Sequence, residues 1–336
     1  MRLAEREGRA VADLSGTTAG RQGEPGSERE ERVQAVLREL ERRFGPWVVY
    51  RLTDARPAIG ERAIASGALS LDLATGIGGF PRGRITEVLG PASSGKRILA
   101  FHLLANAQRQ RGFVAFIDAT QRANFEQMAR CGVDLADLLL VVPQSIREVL
   151  DVAALLVESG GLDALVSEPL ADLINGSVQV ARSAAEHLAR LNALMHPSPT
   201  AVVLLTDSRA RSPCAPFTQA LRHFAALRIQ LTPLQLLPHP SGDVLGLRVR
   251  AQTIKNKLAP PQRLAEFDVR RDRGIHREAD LVDLARACGV LDEQPLGICF
   301  GNHFLGRGRA QAIATLESEP ALAQALQDAI RRVWGV

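Results

Sequence analysis

A glycine-rich segment between an apolar run and a helix-like stretch constrains this chain most strongly. Gly90, Gly95 and Lys96 have the spacing G-x-x-x-x-G-K, after the apolar run 85–89 and before the stretch 97–111. Such glycines let backbone amides turn towards phosphate oxygens, and the lysine reaches the terminal phosphates. The segment therefore predicts a strand, a phosphate-binding loop and a helix. The predicted loop comprises Gly90, Pro91, Ala92, Ser93, Ser94, Gly95, Lys96 and Arg97.

The rest of the chain follows a repeating pattern of apolar runs and amphipathic stretches. This alternation favours an α/β fold with a mostly parallel sheet. Strands are predicted at 85–89, 114–117, 138–142, 164–167, 201–206, 227–231 and 245–253, with helices at 97–111, 125–131, 146–159 and 181–195. From residue 275 onward, short helices at 280–287 and 310–333 indicate a small C-terminal α+β domain.

The N-terminal region differs from the core in composition. Residues 1–30 are rich in Gly, Ser, Glu and Arg without a sustained hydrophobic period, which predicts a flexible leader. Apolar residues at helical spacing then predict a helix over 31–44, followed by a β-like run at 47–52. We therefore divide the chain into a leader (1–30), a helix-strand arm (31–60), a core (61–273) and a C-terminal domain (274–336).

Composition limits the environment and the partners. No apolar run approaches the ~18 residues needed to span a bilayer, so we expect a cytoplasmic protein without membrane contact. The net charge of +4 is compatible with a polyanion but does not require one. Since 38 of the 41 basic residues are Arg, the three lysines, Lys96, Lys255 and Lys257, are informative. The cysteines and histidines show no ligand spacing, so no metal site is predicted from them.

Position 97 departs from the phosphate-loop pattern. A Ser or Thr hydroxyl that binds Mg²⁺ is expected there, but the chain has Arg97. At about 4 Å a guanidinium would repel a divalent cation by several kcal/mol. Two alternatives remain open: Arg97 turns away and nucleotide binds weakly, or its charge replaces that of the metal and pairs with phosphate or a carboxylate.

Several segments together resemble the bacterial RecA recombinase family. They are SGALSLDLATGIGGFPRGRITEVLGPASSGK (66–96), FIDA (116–119), TIKNKLAPPQRLAEFDV (253–269) and GIHREADLVDLA (274–285), in family order. The stretch LRELERRFGPWVVYRL (37–52) resembles the family's N-terminal packing arm. The resemblance implies a RecA-like P-loop core, ATP as cofactor, and single-stranded DNA and a self-filament or RecA-type neighbour as partners.

The resemblance also implies roles for particular residues. In RecA filaments, two lysines reach the neighbouring subunit's nucleotide phosphates, and Lys255 and Lys257 occupy their positions. The alternative is that both are solvated charges at a strand edge. The family's water-activating glutamate corresponds to Thr120, and its Mg²⁺-associated aspartate to Glu168. We hypothesise that an Arg97–Glu168 ion pair replaces Mg²⁺.

Two further features of the family change in this chain. The γ-phosphate-sensing pair corresponds to Thr206 and Asp207, and an anionic Asp207 near a triphosphate is unfavourable. The second DNA-binding loop is shorter, but its region keeps cations and an aromatic residue that suit phosphate contacts: Arg209, Arg211, Arg222 and Phe217. The alternative is a solvated loop. Arg307, Arg309, Arg331 and Arg332 resemble the family's small duplex-contacting domain.

Three functions are compatible with these residues. The first is a RecA-like accessory protein with impaired ATP hydrolysis in the SOS response, similar to the ImuA group, which joins RecA filaments or serves a translesion polymerase complex. The second is a genuine ATP-dependent recombinase, and the third is a structural protein that binds neither nucleotide nor DNA. Arg97, Thr120 and Asp207 together favour the first, because loss of the water-activating carboxylate alone costs roughly 10² to 10⁴ in rate.

Overall fold

The computed structural model describes residues 26–44, 63–174, 177–196, 198–208, 215–238 and 244–335. The chain forms two compact units, residues 1–56 and 57–336. In the first unit, helix α1 (Gly26–Phe44) starts before the predicted position 31 and so includes the end of the predicted leader. Residues 1–25 and the β-like run at 47–52 lie outside the described residues.

In the described part of the second unit, nine strands form one mixed sheet, preceded by the small antiparallel pair β1 (Ala63–Ile64) and β2 (Phe80–Pro81). The nine strands are β3 (Arg84–Gly90), β4 (Val114–Ile117), β5 (Leu138–Val141), β6 (Ala164–Ser167), β7 (Ala201–Asp207), β8 (Leu227–Pro238), β9 (Val244–Asn256), β10 (Leu264–Arg270) and β11 (Gly274–Ile275). Their order is β11-β10-β9-β8-β3-β7-β6-β4-β5. Strands β8 to β5 in this order are parallel, whereas β9, β10 and β11 are antiparallel to their neighbours. The predicted α/β class with a mostly parallel sheet is confirmed.

Helices cover both faces of this sheet. They are α2 (Leu69–Thr75), α3 (Lys96–Arg109), α4 (Phe125–Arg130), α5 (Ile146–Glu158), α6 (Ala171–Ile174), α7 (Val178–Met195) and α8 (Ala215–Phe224). Helices α3 and α4 contribute to the apolar layer on one face, whereas α5, α7 and α8 contribute to the layer on the other. The central strands are therefore buried on both faces, which explains why they are continuous apolar runs in the sequence.

The C-terminal region has its own apolar cluster. Its elements are α9 (Arg277–Ala287), β12 (Asp292–Gln294), β13 (Gly297–Phe300), β14 (His303–Gly306), α10 (Arg309–Ser318) and α11 (Pro320–Trp334). The single helix predicted at 310–333 is thus two helices, because Pro320 begins a new helix. Leu69 and Leu73 of α2 join the same cluster, so α2 connects this region to the sheet.

Two strands at the antiparallel end of the sheet differ from prediction. Strand β10 was not predicted, and β8 continues beyond the predicted end at residue 231 to Pro238. Residues 232–236 of β8 are exposed, so burial did not impose an apolar pattern on them. Among the described residues, no helix is long and apolar enough to cross a membrane.

Candidate nucleotide and nucleic-acid site

The predicted phosphate loop connects β3 to α3. A Cβ atom at Gly90 would lie 2.7 Å from the carbonyl oxygen of Leu231, and Gly95 has a φ of +88°, so both positions need glycine. Helix α3 begins at Lys96, and its first backbone amides have no carbonyl partner within the helix. Ser94 Oγ is buried beneath the loop without a hydrogen-bond partner in the described part of the chain. These groups fit an anion such as a phosphate.

Lys96 folds back onto the loop. Its Nζ donates hydrogen bonds to the carbonyl oxygens of Gly90, at 2.6 Å, and Pro91, at 2.7 Å. Burial lowers the pKa of this ammonium, while the charge of Asp207 opposes the shift. Because an ammonium has three donors, one N–H remains for a phosphate while two hold the loop closed.

Arg97 forms the ion pair with Glu168 that we hypothesised from the sequence. Arg97 Nε donates to Glu168 Oε1, and Nη2 donates to Oε2 at 2.7 Å. Glu168 follows β6, and its side chain is 0% exposed, whereas that of Arg97 is 42% exposed. Thr120 Oγ1, which follows β4, donates to the same Oε2 at 2.8 Å. Both oxygens of this buried carboxylate therefore have partners.

The residues at this position do not fit Mg²⁺. The ion requires oxygen ligands in near-octahedral geometry, but the carboxylate oxygens of Glu168 accept hydrogen bonds from Arg97 and Thr120. Asp118, at the end of β4, accepts from the backbone amides of Arg122 and Ala123, and so supports the turn. Thr120 itself offers a hydroxyl rather than a carboxylate.

A second polar network lies behind the loop and was missed by the sequence analysis. Thr206 Oγ1 donates to Glu87 Oε1 at 2.9 Å, and Arg228 Nε donates to Glu87 Oε2. Asp207, the next residue, lies opposite Gly90 in the β3–β7 ladder. A signal was available: Glu87 is the one charged residue within the predicted strand 85–89.

Lys255, in β9, and Lys257, which follows it, lie across β8 from β3. Lys255 is opposite Arg228, and Arg228 is opposite Glu87 in the middle of β3, whereas the phosphate loop follows Gly90 at the end of β3. Lys255 Nζ donates to the carbonyl oxygens of Arg222 at 2.5 Å and His223 at 3.0 Å, and Lys257 Nζ donates to that of His223 at 3.2 Å. They therefore hold the C-terminus of α8 and do not reach the loop of their own chain.

The predicted DNA contacts fall into three groups. Arg209 and Arg211 lie outside the described residues, and Arg222 is exposed in the last turn of α8. The prediction that Phe217 contacts DNA is wrong. Phe217 is 4% exposed and packs in the apolar layer beneath α8, so its ring offers no face to a base. Arg309 pairs with Asp268 and Asp283, whereas Arg307 is exposed.

The fold and the site together define the class of this protein. A glycine-rich loop between a buried central strand and a helix, in a mostly parallel α/β sheet, is the arrangement of a P-loop nucleotide-binding core. Comparison with known families is more specific, since residues 31–276 match the RecA N-terminal domain. The chain belongs to the RecA family.

Curated relatives match over most of their length. Protein RecA of Chloroflexus aurantiacus is 33% identical over 322 residues, which cover 90% of this chain and 92% of the relative. Protein RecA of Nocardioides sp. is 35% identical over 329 residues, with 93% of both chains covered. Protein RecA of Corynebacterium efficiens is 36% identical over 330 residues, 93% of this chain and 85% of the relative.

Proposed function

We propose that this chain is an accessory protein of DNA repair and recombination that binds DNA and RecA-type filaments but hydrolyses ATP weakly or not at all. The Arg97–Glu168 ion pair carries this proposal. A P-loop motor needs a divalent cation on the phosphates and a group that positions the attacking water. Here a guanidinium stands beside Glu168, and Thr120 supplies no base.

ATP binding itself is compatible with the loop. Lys96, the first amides of α3 and the unpartnered Ser94 hydroxyl all suit phosphate oxygens. Arg97 is 42% exposed in its side chain, so it can donate to a phosphate from one edge while it stays paired with Glu168. We therefore propose weak or Mg²⁺-independent ATP binding, in which the arginine provides the positive charge of the metal.

Two features support contact with a RecA-type neighbour. Lys255 and Lys257 lie away from the loop of their own chain, which suits contact with the nucleotide of an adjacent subunit. Among the strands of the described residues, β5 is the last in the sheet, and its Leu139 and Leu140 are 48% and 43% exposed. An apolar edge strand of this kind accepts another strand. We propose that it takes a segment of a RecA-type subunit, in a self-filament or a mixed one.

Single-stranded DNA is the proposed nucleic-acid ligand. The cations Arg209, Arg211 and Arg222 are the proposed contacts, through phosphates rather than base stacking, because Phe217 is buried. Affinity should therefore fall steeply as salt rises. A role in the SOS response, within a translesion polymerase complex, and a cytoplasmic location complete the proposal. The division into arm, core and small DNA-contacting C-terminal domain belongs to it as well.

The deciding experiment measures ATP binding and hydrolysis by the full chain, with and without Mg²⁺ and single-stranded DNA. We expect no DNA-stimulated turnover, and nucleotide binding that EDTA leaves unchanged. Lys96→Ala is the control and should abolish the binding. DNA-stimulated turnover that Lys96→Ala removes would show a genuine recombinase instead. Absence of both nucleotide and DNA binding would favour the purely structural alternative.

A further inference from the structure

A groove of about 510 Å³ lies along one edge of β10, far along the sheet from β5. Leu264 and Glu266 of β10 form one side of the groove. Leu73 of α2, Leu284 of α9 and Trp334 of α11 provide apolar surface on the other sides. None of these lining residues belongs to the phosphate loop or to the proposed DNA contacts, so the groove has no role in the functions proposed above.

The backbone register shows which groups of β10 point away from β9, at the edge where the groove lies. Thr253 N donates to the carbonyl of Arg263, and Arg271 N donates to that of Leu245, so the odd-numbered residues of β10 bond to β9. The even-numbered residues face away from β9. Of these, the backbone carbonyl of Asp268 accepts a hydrogen bond from His276 N, and residue 270 pairs with β11. In the described part of the chain, no strand pairs with the outward N–H and C=O groups of Leu264 and Glu266.

Large apolar side chains are exposed at the same place. Leu264 is 58% exposed and Trp334 is 46% exposed. The indole is oriented by a hydrogen bond from its Nε1 to Cys288 Sγ at 3.0 Å. An oriented and half-exposed tryptophan beside an exposed leucine is typical of the centre of a protein-binding surface.

The charges at the groove are unequal at its two ends. Arg248 is neutralised by Glu266, Asp268 and Asp283. The side chain of Arg263, in contrast, makes one hydrogen bond among the described residues, from Nη1 to the carbonyl oxygen of Leu73 at 3.4 Å, and has no carboxylate partner there. The end beside Arg263 therefore favours an anionic group.

We propose that this groove binds an extended peptide segment of a partner protein by strand addition to β10. The peptide backbone bonds to the outward groups of Leu264 and Glu266, an apolar side chain packs against Trp334, and an acidic side chain pairs with Arg263. Strand addition of this kind takes its affinity from main-chain hydrogen bonds and its specificity from alternate side chains. This inference stands independently of the proposed nucleotide and DNA functions.

The test uses fluorescein-labelled peptides and the full chain. Two probes, acetyl-Glu-Leu-Val-Phe-Thr-amide and acetyl-Thr-Leu-Val-Phe-Glu-amide, cover both strand directions, and copies with Lys in place of Glu are the charge controls. Fluorescence anisotropy should show saturable binding of one Glu probe with a Kd of about 100 µM. Its Lys copy should bind about tenfold more weakly, as should a copy N-methylated on alternate amides. Failure of both Glu probes to saturate below about 1 mM, or equal binding of the N-methylated copy, would overturn the proposal.

Variants of the chain locate the binding. Leu264→Pro removes only an outward N–H, since this residue faces away from β9, and should weaken the probe about tenfold beyond Leu264→Ala. Arg263→Gln should bring the affinities of the Glu and Lys probes together without affecting the fold, which circular dichroism checks. Arg307→Gln is the matched control at an exposed arginine elsewhere. Unchanged discrimination between the Glu and Lys probes in Arg263→Gln would refute the proposed site.

Discussion

Two arginine–carboxylate clusters in this protein use the same chemistry in different ways. Beside the phosphate loop, the single arginine Arg97 neutralises Glu168, whose side chain is 0% exposed. Where β9 and β10 meet α9 and α10, Arg248 and Arg309 each pair with both Asp268 and Asp283. The second cluster is cross-linked, so each carboxylate has two cations. The first has one cation, beside the phosphate loop, and is therefore the cluster that a single substitution can convert.

The pKa values of buried acids elsewhere in the molecule reflect the same difference. At Asp283 burial alone would raise the pKa, but the hydrogen bonds and charges of Arg309 and Arg248 lower it below its ordinary value. Burial raises the pKa of Asp72 to about 7 and outweighs the opposing effects of its hydrogen bond from Ser66 N and of the charge of Arg331. Asp280, which accepts from Ser70 N, has its pKa raised by burial to about 6. An arginine partner therefore decides the direction of the shift.

The largest effect is expected in the cross-linked cluster. Arg309→Met removes one cation from Asp268, which is 3% exposed in its side chain, and from Asp283. We expect the free energy of unfolding to fall by about 3 kcal/mol, because Asp268 and Asp283 each lose one of their two cations. Urea unfolding measures this. Arg307→Met, two residues away and exposed, should change it by less than about 0.5 kcal/mol; equal losses in both variants would contradict a structural role for the cluster.

The next effect concerns Asp72, a buried acid whose hydrogen bond comes from the backbone amide of Ser66 rather than from an arginine. Because the folded-state pKa of Asp72 is raised, the folded protein binds more protons than the unfolded chain between pH 4 and 7. This contribution to stability is present at low pH and is lost as pH rises towards 7. Asp72→Asn should therefore gain about 2 kcal/mol relative to the wild type between pH 5 and pH 8. Urea unfolding at the two pH values checks the difference.

The buried His102 adds a pH dependence of its own to the stability of both proteins in that experiment. Burial lowers its pKa to about 4, and its Nε2 accepts a hydrogen bond from Ile275 N at 2.8 Å. Its contribution has the opposite sign, because stability is lost as pH falls from 6.5 towards 4. Since His102 is present in both proteins, its effect cancels in the comparison. A difference between wild type and Asp72→Asn that does not depend on pH would contradict the raised pKa.

Conversion of the loop cluster should have an effect of similar size on stability and, in addition, a qualitative effect on metal dependence. Arg97→Thr leaves Glu168 without its cation and should cost about 2 kcal/mol without Mg²⁺, because Thr120 and solvent near the exposed arginine compensate in part. In the presence of ATP, added Mg²⁺ should then raise the thermal unfolding temperature of this variant but not of the wild type. Arg97→Val is the matched control, because valine has the shape of threonine but no hydroxyl. Mg²⁺ dependence in neither variant would refute metal replacement.

The smallest effect is expected where cations bond to backbone carbonyls. Lys255→Met removes two hydrogen bonds from the end of α8, and should cost about 0.5 to 1 kcal/mol. Lys257→Met removes one longer bond and should cost less. Thermal unfolding orders the two. Light scattering of mixtures with a RecA recombinase should show lost co-assembly for both variants; unchanged co-assembly would contradict the proposed contact with a neighbour's nucleotide.

Local patterns predicted much of the core from the sequence. The strands at 114–117 and 164–167 have the predicted bounds, and the phosphate loop lies between a strand and a helix as expected. Strand β10 escaped prediction because it lies near the antiparallel edge, where burial is uneven. Phe217 was predicted to contact DNA because the arginine-rich segment around it suited a binding loop, whereas α8 turns its side chain into the core.

The amino-acid sequence by itself determined the order of the predicted core strands and helices, the glycine-rich loop and the family, because each depends on residues that are neighbours along the chain. The tertiary structure decided which charges meet. Arg97 and Glu168 are 71 positions apart, and Arg309 and Asp268 are 41 apart. Arg307 and Arg309 look alike in sequence, yet only Arg309 faces two buried carboxylates. The physical reason is that an ion pair depends on which strand and helix ends become adjacent when the sheet assembles, and this adjacency is independent of spacing along the chain.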